Sequence, residues 1–265
     1  MGQPSDLPGH REFTGRRAFT GQVAVVTGAA AGIGLATAHA FAARGAAVVC
    51  LDRDPAGLAD VAAQLRQAGA EALTIEVDLA DPAAITDAAD RAADWRGRVD
   101  ALAHVAGVNL YAHAADVTVA DWDRVLNTNL RAPFLLTQAL LPALLPARAA
   151  VVAVSSVAGT QGWPYLSAYS AAKGGLTVLM RSLAVEYGPQ GLRCNVVCPG
   201  SVATRMATSG PPLPGADPSI LKRGLGLTGR RARPDEVADA ICFLASAEAS
   251  FISGAVLPVD GGAFA

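Results

Sequence analysis

Charge is scarce in this sequence. Asp, Glu, Lys and Arg make up 17% of 265 residues, and 21 basic against 23 acidic side chains leave a formal net charge of -2. With no long run of either sign, the chain lacks the basic face needed to grip nucleic acid or an anionic membrane, so neither is expected as a partner. Long hydrophobic runs are also missing. Apolar residues amount to 52% of the chain, yet no uninterrupted stretch approaches the roughly 18 residues of a spanning helix. The opening "MGQPSDLPGHREFTGRRAFTG" has no apolar h-region and reads as neither a secretory signal nor an anchor. Residues 1–20 are expected to form a mobile arm. Cysteine is rare, and Cys50, Cys194, Cys198 and Cys242 form no CxxC pair. Cys194 and Cys198 would stand about 13 Å apart along a strand, so reduced thiols in a cytosolic protein are expected. His10, His39, His104 and His113 show no ligand spacing, "HExxH" is absent, and no metal is expected. No internal repeat or inter-domain linker appears, which favours a single domain over residues 21–265.

What the chain does have is alternation. Short β-branched runs, "VAVVTG" at 23, "AAVVCLD" at 46, "ALTIEVD" at 72, "VDALAHVAG" at 99, "AVVAVSS" at 150, "LRCNVVCPG" at 192 and "AVLPVDGG" at 255, are separated by longer alanine- and leucine-rich segments. Apolar strands of this kind suit a parallel sheet covered on both faces. The intervening segments, Gly34 to Arg44, Pro55 to Ala68, Pro82 to Trp95, Ala120 to Leu145, Ala168 to Tyr187 and Pro234 to Ala245, are long enough for crossover helices. The expectation is an α/β doubly wound parallel sheet, a Rossmann fold. Pro133 has no N–H, so the carbonyl of Asn129 loses its helical partner, and a kink is expected there. A freed carbonyl can hold a water. The Pro-rich "TSGPPLPGADPS" (208–219) is long for a loop in a compact domain, and a substrate lid is expected around 205–227.

The strand "VAVVT" runs into Gly28, Gly32, Ile33 and Gly34 and then a helical pattern. Glycines there let the backbone approach a pyrophosphate, while the helix start offers unpaired N–H groups and a positive dipole end. A second strand ends in Asp52, whose carboxylate can accept from both ribose hydroxyls and repel a 2′-phosphate. Arg53 beside it is the group that could turn toward such a phosphate, so NAD is expected and NADP is the alternative.

"SAYSAAKGG" (167–175) sets Tyr169 and Lys173 four residues apart, on one helix face with side chains about 5 to 6 Å apart. A free phenol titrates near 10, too high for efficient proton transfer around neutrality. A fixed ammonium roughly 5 Å away is expected to lower it by about two pKa units at an effective dielectric of about 20.

These motifs together resemble the classical short-chain dehydrogenase/reductase family. Its TGxxxGxG turn is matched by Thr27 to Gly34 and its Tyr-x-x-x-Lys by Tyr169 and Lys173, and the similarity extends over roughly residues 20–262. Alanines at 29–31 stand where NADP-preferring members often carry a basic residue. The resemblance implies that Asp78 bonds the adenine, although as a residue it also reads as a helix N-cap beside Pro82. It implies that Ala106 and Gly107 line the cofactor cleft, within "HVAG" where the family has Asn-Asn-Ala-Gly. His104 is left to replace the missing amides as a hydrogen-bonded core residue. Ser156, thirteen residues before Tyr169, matches the serine that bonds the substrate oxygen, with Ser155 the competitor. Asn129 matches the fourth catalytic residue, with Asn127 the alternative. A proton relay is implied from Tyr169 through the ribose hydroxyl, Lys173 and a water to Asn129. "CPGSVAT" matches a Pro-Gly motif whose backbone near Val202 and hydroxyl of Thr204 hold the nicotinamide carboxamide.

The implied activity is hydride transfer between NAD(H) and a secondary alcohol or ketone on a small molecule. Ser156 and Tyr169 would polarise the carbonyl, and Tyr169 would act as general acid and base. Gln161 to Tyr165, Val108 to His113 and the lid are the expected substrate walls. No arginine cluster marks a carrier-bound acyl group. An NADPH-dependent 3-oxoacyl-type reductase and a non-catalytic NAD-binding protein are the alternatives. Two apolar helical segments, 130–145 and 175–187, carry more hydrophobic surface than one sheet face covers. A homo-oligomer is expected, and the resemblance implies a tetramer.

Overall fold

A computed structural model describes residues 18–208, 213–221 and 227–264. Seven strands, β1 (Val23–Thr27), β2 (Ala47–Asp52), β3 (Ala72–Glu76), β4 (Ala101–His104), β5 (Ala150–Val154), β6 (Arg193–Pro199) and β7 (Val256–Val259), form one sheet in the order β3-β2-β1-β4-β5-β6-β7. Every pairing is parallel. The helices are α1 (Gly32–Ala43), α2 (Pro55–Gln67), α3 (Pro82–Asp94), α4 (Val119–Leu126), α5 (Ala132–Ala147), α6 (Ser167–Tyr187), the short α7 (Arg205–Thr208) and α8 (Pro218–Leu221), and α9 (Pro234–Ala245).

The near-continuous apolar strands follow from burial on both faces. Along β1, Val23 and Val25 turn toward Ile85, Leu136, Leu140 and Met180 of α3, α5 and α6. Ala24 and Val26 turn the other way, toward Phe41, Leu58, Val61 and Ile241 of α1, α2 and α9. The alternation of side chains along a strand thus feeds two separate cores. The strand order reverses between β1 and β4, which opens a crevice at the carboxyl ends of the strands, the switch point of this topology.

Local signals set most helix starts. α2 and α3 each begin with a proline preceded by an aspartate, and the carboxylates of Asp54 and Asp81 accept from backbone N–H groups of the first turn. Arg193 at the start of β6 donates to the carbonyls of Leu244, Ala245, Ser246, Ala249 and Ile252, closing the end of α9 and holding the chain that leads into β7.

Two expectations need correction. The N-terminal arm does not extend to residue 20, because Phe19 is buried edge-on against Phe41 at 5.0 Å between centroids and its N–H donates to Arg44; residues 1–17 lie outside the described residues. The segment from Ala120 to Leu145 is not one kinked helix. A π turn, Asn127–Arg131, joins α4 to α5, and the Ala132 N–H reaches back five residues to the Asn127 carbonyl. Pro133 cannot donate one step later, so the register slips by a residue instead of bending. The joined segment, Val119–Ala147, is one helical run of 29 residues that is by composition apolar enough to cross a membrane. Leu136, Leu140 and Leu144 of that run are packed into the core.

Candidate active site

At the crevice, a cavity of about 580 Å³ is lined by Gly28, Gly32, Asp52, Asp78, Ala106 and Gly107, with Ile33, Gly34 and Arg53 alongside. The glycines answer to contact. A Cβ on Gly34 would overlap the carbonyl oxygen of Gly28, and one on Gly28, at φ 69°, would stand 2.9 Å from Cα of Ala106. Unlike α2 and α3, which aspartates cap, α1 starts after Ala31 and has no side-chain cap. Its first residues, Ala31 to Gly34, line the cavity, and an uncapped helix start is the arrangement that receives an anion.

Asp52 is held firmly at the edge of this space. One carboxylate oxygen accepts from Ala30 N–H at 3.0 Å and the other from Asp54 N–H at 3.1 Å. Asp78 accepts from Ala80 N–H at 2.9 Å and lines the cavity, while Asp81 caps α3, so the helix-cap reading of Asp78 does not hold. Thr27, which the sequence offered only as part of a motif, fixes the opposite wall. Its hydroxyl accepts from Val105 N–H at 2.9 Å and Ala106 N–H at 3.0 Å, so β1 sets where the β4 loop passes.

A second cavity of about 200 Å³ adjoins the first and is lined by Asn109, Ser156, Tyr169, Lys173, Val202 and Thr204, among others. Tyr169 and Lys173 share one face of α6, with Nζ 5.7 Å from the ring centroid. Ser156, two residues past the end of β5, accepts from Ala158 N–H and lines the same cavity as Tyr169. Ser155 has a different part. Its hydroxyl is buried, donates to the Lys173 carbonyl at 2.9 Å and accepts from Thr177 at 3.0 Å, pinning α6 to β5. A Cβ on Gly159 would meet the backbone carbonyl carbon of Lys173 at 2.7 Å, so α6 lies close against the turn after β5.

The electrostatics depart from the expectation for Tyr169. Burial pushes the phenol up to about 12, with the Ser156 hydroxyl acting against it. Lys173 is itself driven down to about 8 by burial, and its Nζ donates to the Val154 carbonyl at 2.8 Å. Desolvation of both groups therefore outweighs the attraction reckoned from spacing alone.

Asn129 is wholly buried, and its amide clamps the backbone of Val108, accepting from the N–H at 3.0 Å and donating to the carbonyl at 2.8 Å. A Cβ on Gly107 would come 2.7 Å from Asn129 Oδ1 and 3.4 Å from Lys173 Nζ. The missing side chain at 107 thus leaves the gap between them. His104 donates or accepts at Thr137 Oγ1, 2.8 Å away, and burial drives its imidazole down to about 3, so it ties β4 to α5 as a neutral core group. Val202 pairs with Ala232 across an isolated bridge, and its carbonyl accepts from Thr204 N–H.

The segments expected as substrate walls meet at Tyr165. Its ring stands edge-on to Tyr111 at 5.5 Å and to His113 at 5.0 Å. Trp163 packs edge-on against Phe264 at 5.8 Å. Within the expected lid, 209–212 and 222–226 lie outside the described residues, and 213–217 rest against Tyr165 and His113. Among the described residues, no group of three or more His, Cys, Asp or Glu gathers to hold a metal ion, and the four cysteines are free and buried.

A family model described as enoyl-(acyl carrier protein) reductase matches residues 28–263. The chain is 44% identical over 242 residues to cis-4-hydroxycyclohexanecarboxylate dehydrogenase of Sinomonas cyclohexanicum, covering 91% of this chain and 95% of that one. It is 37% identical over 243 residues to meso-2,3-butanediol dehydrogenase of Serratia marcescens, covering 92% and 94%. Among solved structures, a short-chain dehydrogenase from Burkholderia cenocepacia J2315 in complex with NADP superposes with TM-score 0.85 at 32% identity, over 94% of this chain and 100% of that one. Another from Mycobacterium paratuberculosis bound to NAD superposes with TM-score 0.88 at 28% identity, over 93% and 98%.

Proposed function

The chain belongs to the short-chain dehydrogenase/reductase family and interconverts a secondary alcohol and a ketone by hydride transfer, and we propose that NAD is its cofactor and Tyr169 its general acid and base. The observation that carries the catalytic reading is the convergence of Ser156, Tyr169 and Lys173 on one small cavity beside a larger one that opens onto an uncapped helix start.

The residues present fit a dinucleotide. Gly28, Gly32, Ile33 and Gly34 with the N–H groups of α1 would hold the pyrophosphate, Asp52 the ribose, Asp78 the adenine, and Val202 with Thr204 the carboxamide. Ala106 and Gly107 would form the wall beneath. The bound cofactor supplies the hydride donor or acceptor. Ser156 and Tyr169 orient the substrate oxygen by hydrogen bonds, and the Tyr169 hydroxyl gives or takes the proton there. Lys173 keeps an ammonium beside that hydroxyl, and the carbonyl of Asn129, with no N–H at Pro133 to accept from, offers a water the polar group through which Lys173 exchanges its proton with solvent.

NAD is favoured because the Asp52 carboxylate, bonded on both oxygens, cannot swing away from a 2′-phosphate. The Arg53 side chain at the same cavity supports NADP as the second reading. For the substrate, the named relatives act on compact alcohols, which supports a small secondary alcohol over a carrier-bound acyl group. The exposed side chains Phe134, Val178 and Val185 on α5 and α6 support a homo-oligomer joined through those helices, a tetramer in the proposed form, and the four free, buried cysteines suit the proposed cytoplasmic location.

The test is a hydride-transfer assay at 340 nm with NAD and NADP against a panel of cyclic and linear secondary alcohols and their ketones, with light scattering for the assembly. Turnover of at least one alcohol at a higher kcat/KM with NAD is expected. No turnover with either cofactor, at measurable NAD binding, would leave the non-catalytic reading in its place.

A further inference from the structure

The smaller cavity holds more polar residues than hydride transfer uses. In the proposed chemistry Ser156 and Tyr169 take the reacting oxygen and Thr204 the carboxamide. Lys173 Nζ donates to the Val154 carbonyl, and the Ser155 hydroxyl is engaged by the Lys173 carbonyl and Thr177. Asn109 and Ser201 remain. Ser201 is shared with a neighbouring cavity that Arg230 and Asp260 also line. Asn109 borders the reacting cavity and neither that one nor the dinucleotide cavity.

The chain on either side of Asn109 is fixed. Both backbone groups of Val108 are clamped by the buried Asn129 amide, and Ala112 N–H donates to the Tyr165 carbonyl at 3.0 Å. Val108 and Leu110 pack, with Tyr169, against Val125, Ala168 and Ala172 of α4 and α6. Asn109 stands between them, exposed at the cavity, and among the described residues no group takes up its amide. A primary amide carries two donors and one acceptor oxygen. On a backbone already held in place, those groups meet whatever occupies the cavity with little left to order on binding.

We propose that Asn109 is a specificity-determining residue whose amide hydrogen-bonds a second, uncharged oxygen of the substrate, so that small diols and hydroxyketones are preferred over simple alcohols and ketones. The charge around the cavity selects this class. Its lining holds no acid, which an ammonium group would need, and its one cation among the described residues, Lys173, already donates to Val154 beside Tyr169, which leaves none for a carboxylate. Ile33, Val105, Val154, Pro199, Val202 and Met206 make the rest of the lining largely apolar. An oxygen carried into it loses water, and the Asn109 amide restores the bond. The inference rests on the alcohol dehydrogenase reading and names the substrate class within it.

The full chain is compared as wild type, as Asn109→Leu, which keeps the shape of the side chain and removes its polar atoms, and as Asn109→Ala. The substrates are cyclohexanol and the cyclohexanediols whose second hydroxyl stands one, two or three carbons away. The ratio of kcat/KM for the best diol over cyclohexanol is expected to fall about tenfold in both variants, the effect of one hydrogen bond. A structural role would lower both substrates together and leave the ratio unmoved, which overturns the proposal. A fall of the same size for a hydroxycyclohexanecarboxylate assigns the amide to a charged group, and a weaker NAD complex with the ratio unmoved assigns it to the cofactor; either overturns it too. Titrating cyclohexanone and the hydroxycyclohexanones into the NAD-loaded chain repeats the comparison without turnover, because the oxidised cofactor has no hydride to give. If the wild-type chain turns over none of these compounds, the dehydrogenase reading falls and the binding ratio alone decides. A ratio about tenfold lower in Asn109→Leu upholds the second-oxygen contact, and an unchanged one removes it.

Discussion

The two sides of the active cleft are built on different scales. On the dinucleotide side, each wall is a strand end and the turn that follows it: Gly28 after β1, Asp52 at the end of β2, Asp78 after β3, Ala106 after β4. Their hydrogen bonds run to chain neighbours or to the next strand, as Asp52 bonds Ala30 and Asp54, and Thr27 bonds Val105 and Ala106. On the substrate side, loops 108–113, 161–165 and 213–217 come from well-separated parts of the sequence and meet at Tyr165, an aromatic residue strained at a backbone φ of 62°. The first side is rigid because the sheet is. The second is held by a few bonds between loops, and such regions open at lower free energy than the core.

If the two sides are separable, chemistry can be removed without loss of cofactor. Tyr169→Phe is expected to lower kcat by about a thousandfold with NAD affinity kept within about threefold, measured by stopped-flow turnover and cofactor fluorescence titration. Retention of more than a tenth of the activity would break the comparison at its centre.

The next effect is on stability and concerns the group between the two sides. Lys173 titrates at about 8 in the folded chain against an ordinary 10.5 because burial disfavours its ammonium. Between those values the unfolded chain binds a proton that the folded chain does not, so this residue's contribution to stability rises with pH across that window. Subtracting the urea-unfolding free energies of Lys173→Met from those of the wild type at pH 7.5, 9 and 10.5 isolates it from the buried thiols and Tyr169, which titrate in the same range. The difference is expected to move in favour of the wild type by about 3 kcal/mol from the lowest pH to the highest. A flat difference would mean that Lys173 is solvated.

A smaller effect sharpens the dinucleotide side. Asp52→Ser removes a carboxylate fixed by two N–H donors and is expected to shift the ratio of kcat/KM for NAD over NADP toward NADP by about thirtyfold. No shift would place the ribose elsewhere. Smallest is the loss of diol preference in Asn109→Leu described above, about tenfold, which sharpens the substrate side.

Much of the dinucleotide side was readable before any coordinates. The apolar runs predicted parallel strands buried on both faces, and the cores on either side of β1 bear this out. Gly28, Gly32 and Gly34 were singled out by spacing, and the structure brings them together with Asp52 and Asp78 at one cavity. The resemblance chose Ser156 over Ser155 by its spacing to Tyr169, but strand alternation by itself sends neighbours to opposite faces without saying which face holds the site. The π turn at Asn127–Arg131 was half foreseen: Pro133 announces a missing donor, yet whether the helix bends or slips depends on what packs around it. Tyr165 appeared only as a wall residue, because nothing in "QGWPY" announces a positive φ.

The sequence by itself determined the alternating strands and helices, the glycine turn and the Tyr169–Lys173 face, since each follows from geometry repeated within a few residues. Tertiary structure decided the rest: which serine faces Tyr169, that the phenol is pushed up and the ammonium down, and that Tyr165 meets Asp217. Desolvation depends on every element packed around a group, and contacts between distant loops depend on how the whole sheet brings them together, so neither is written in any one stretch of chain.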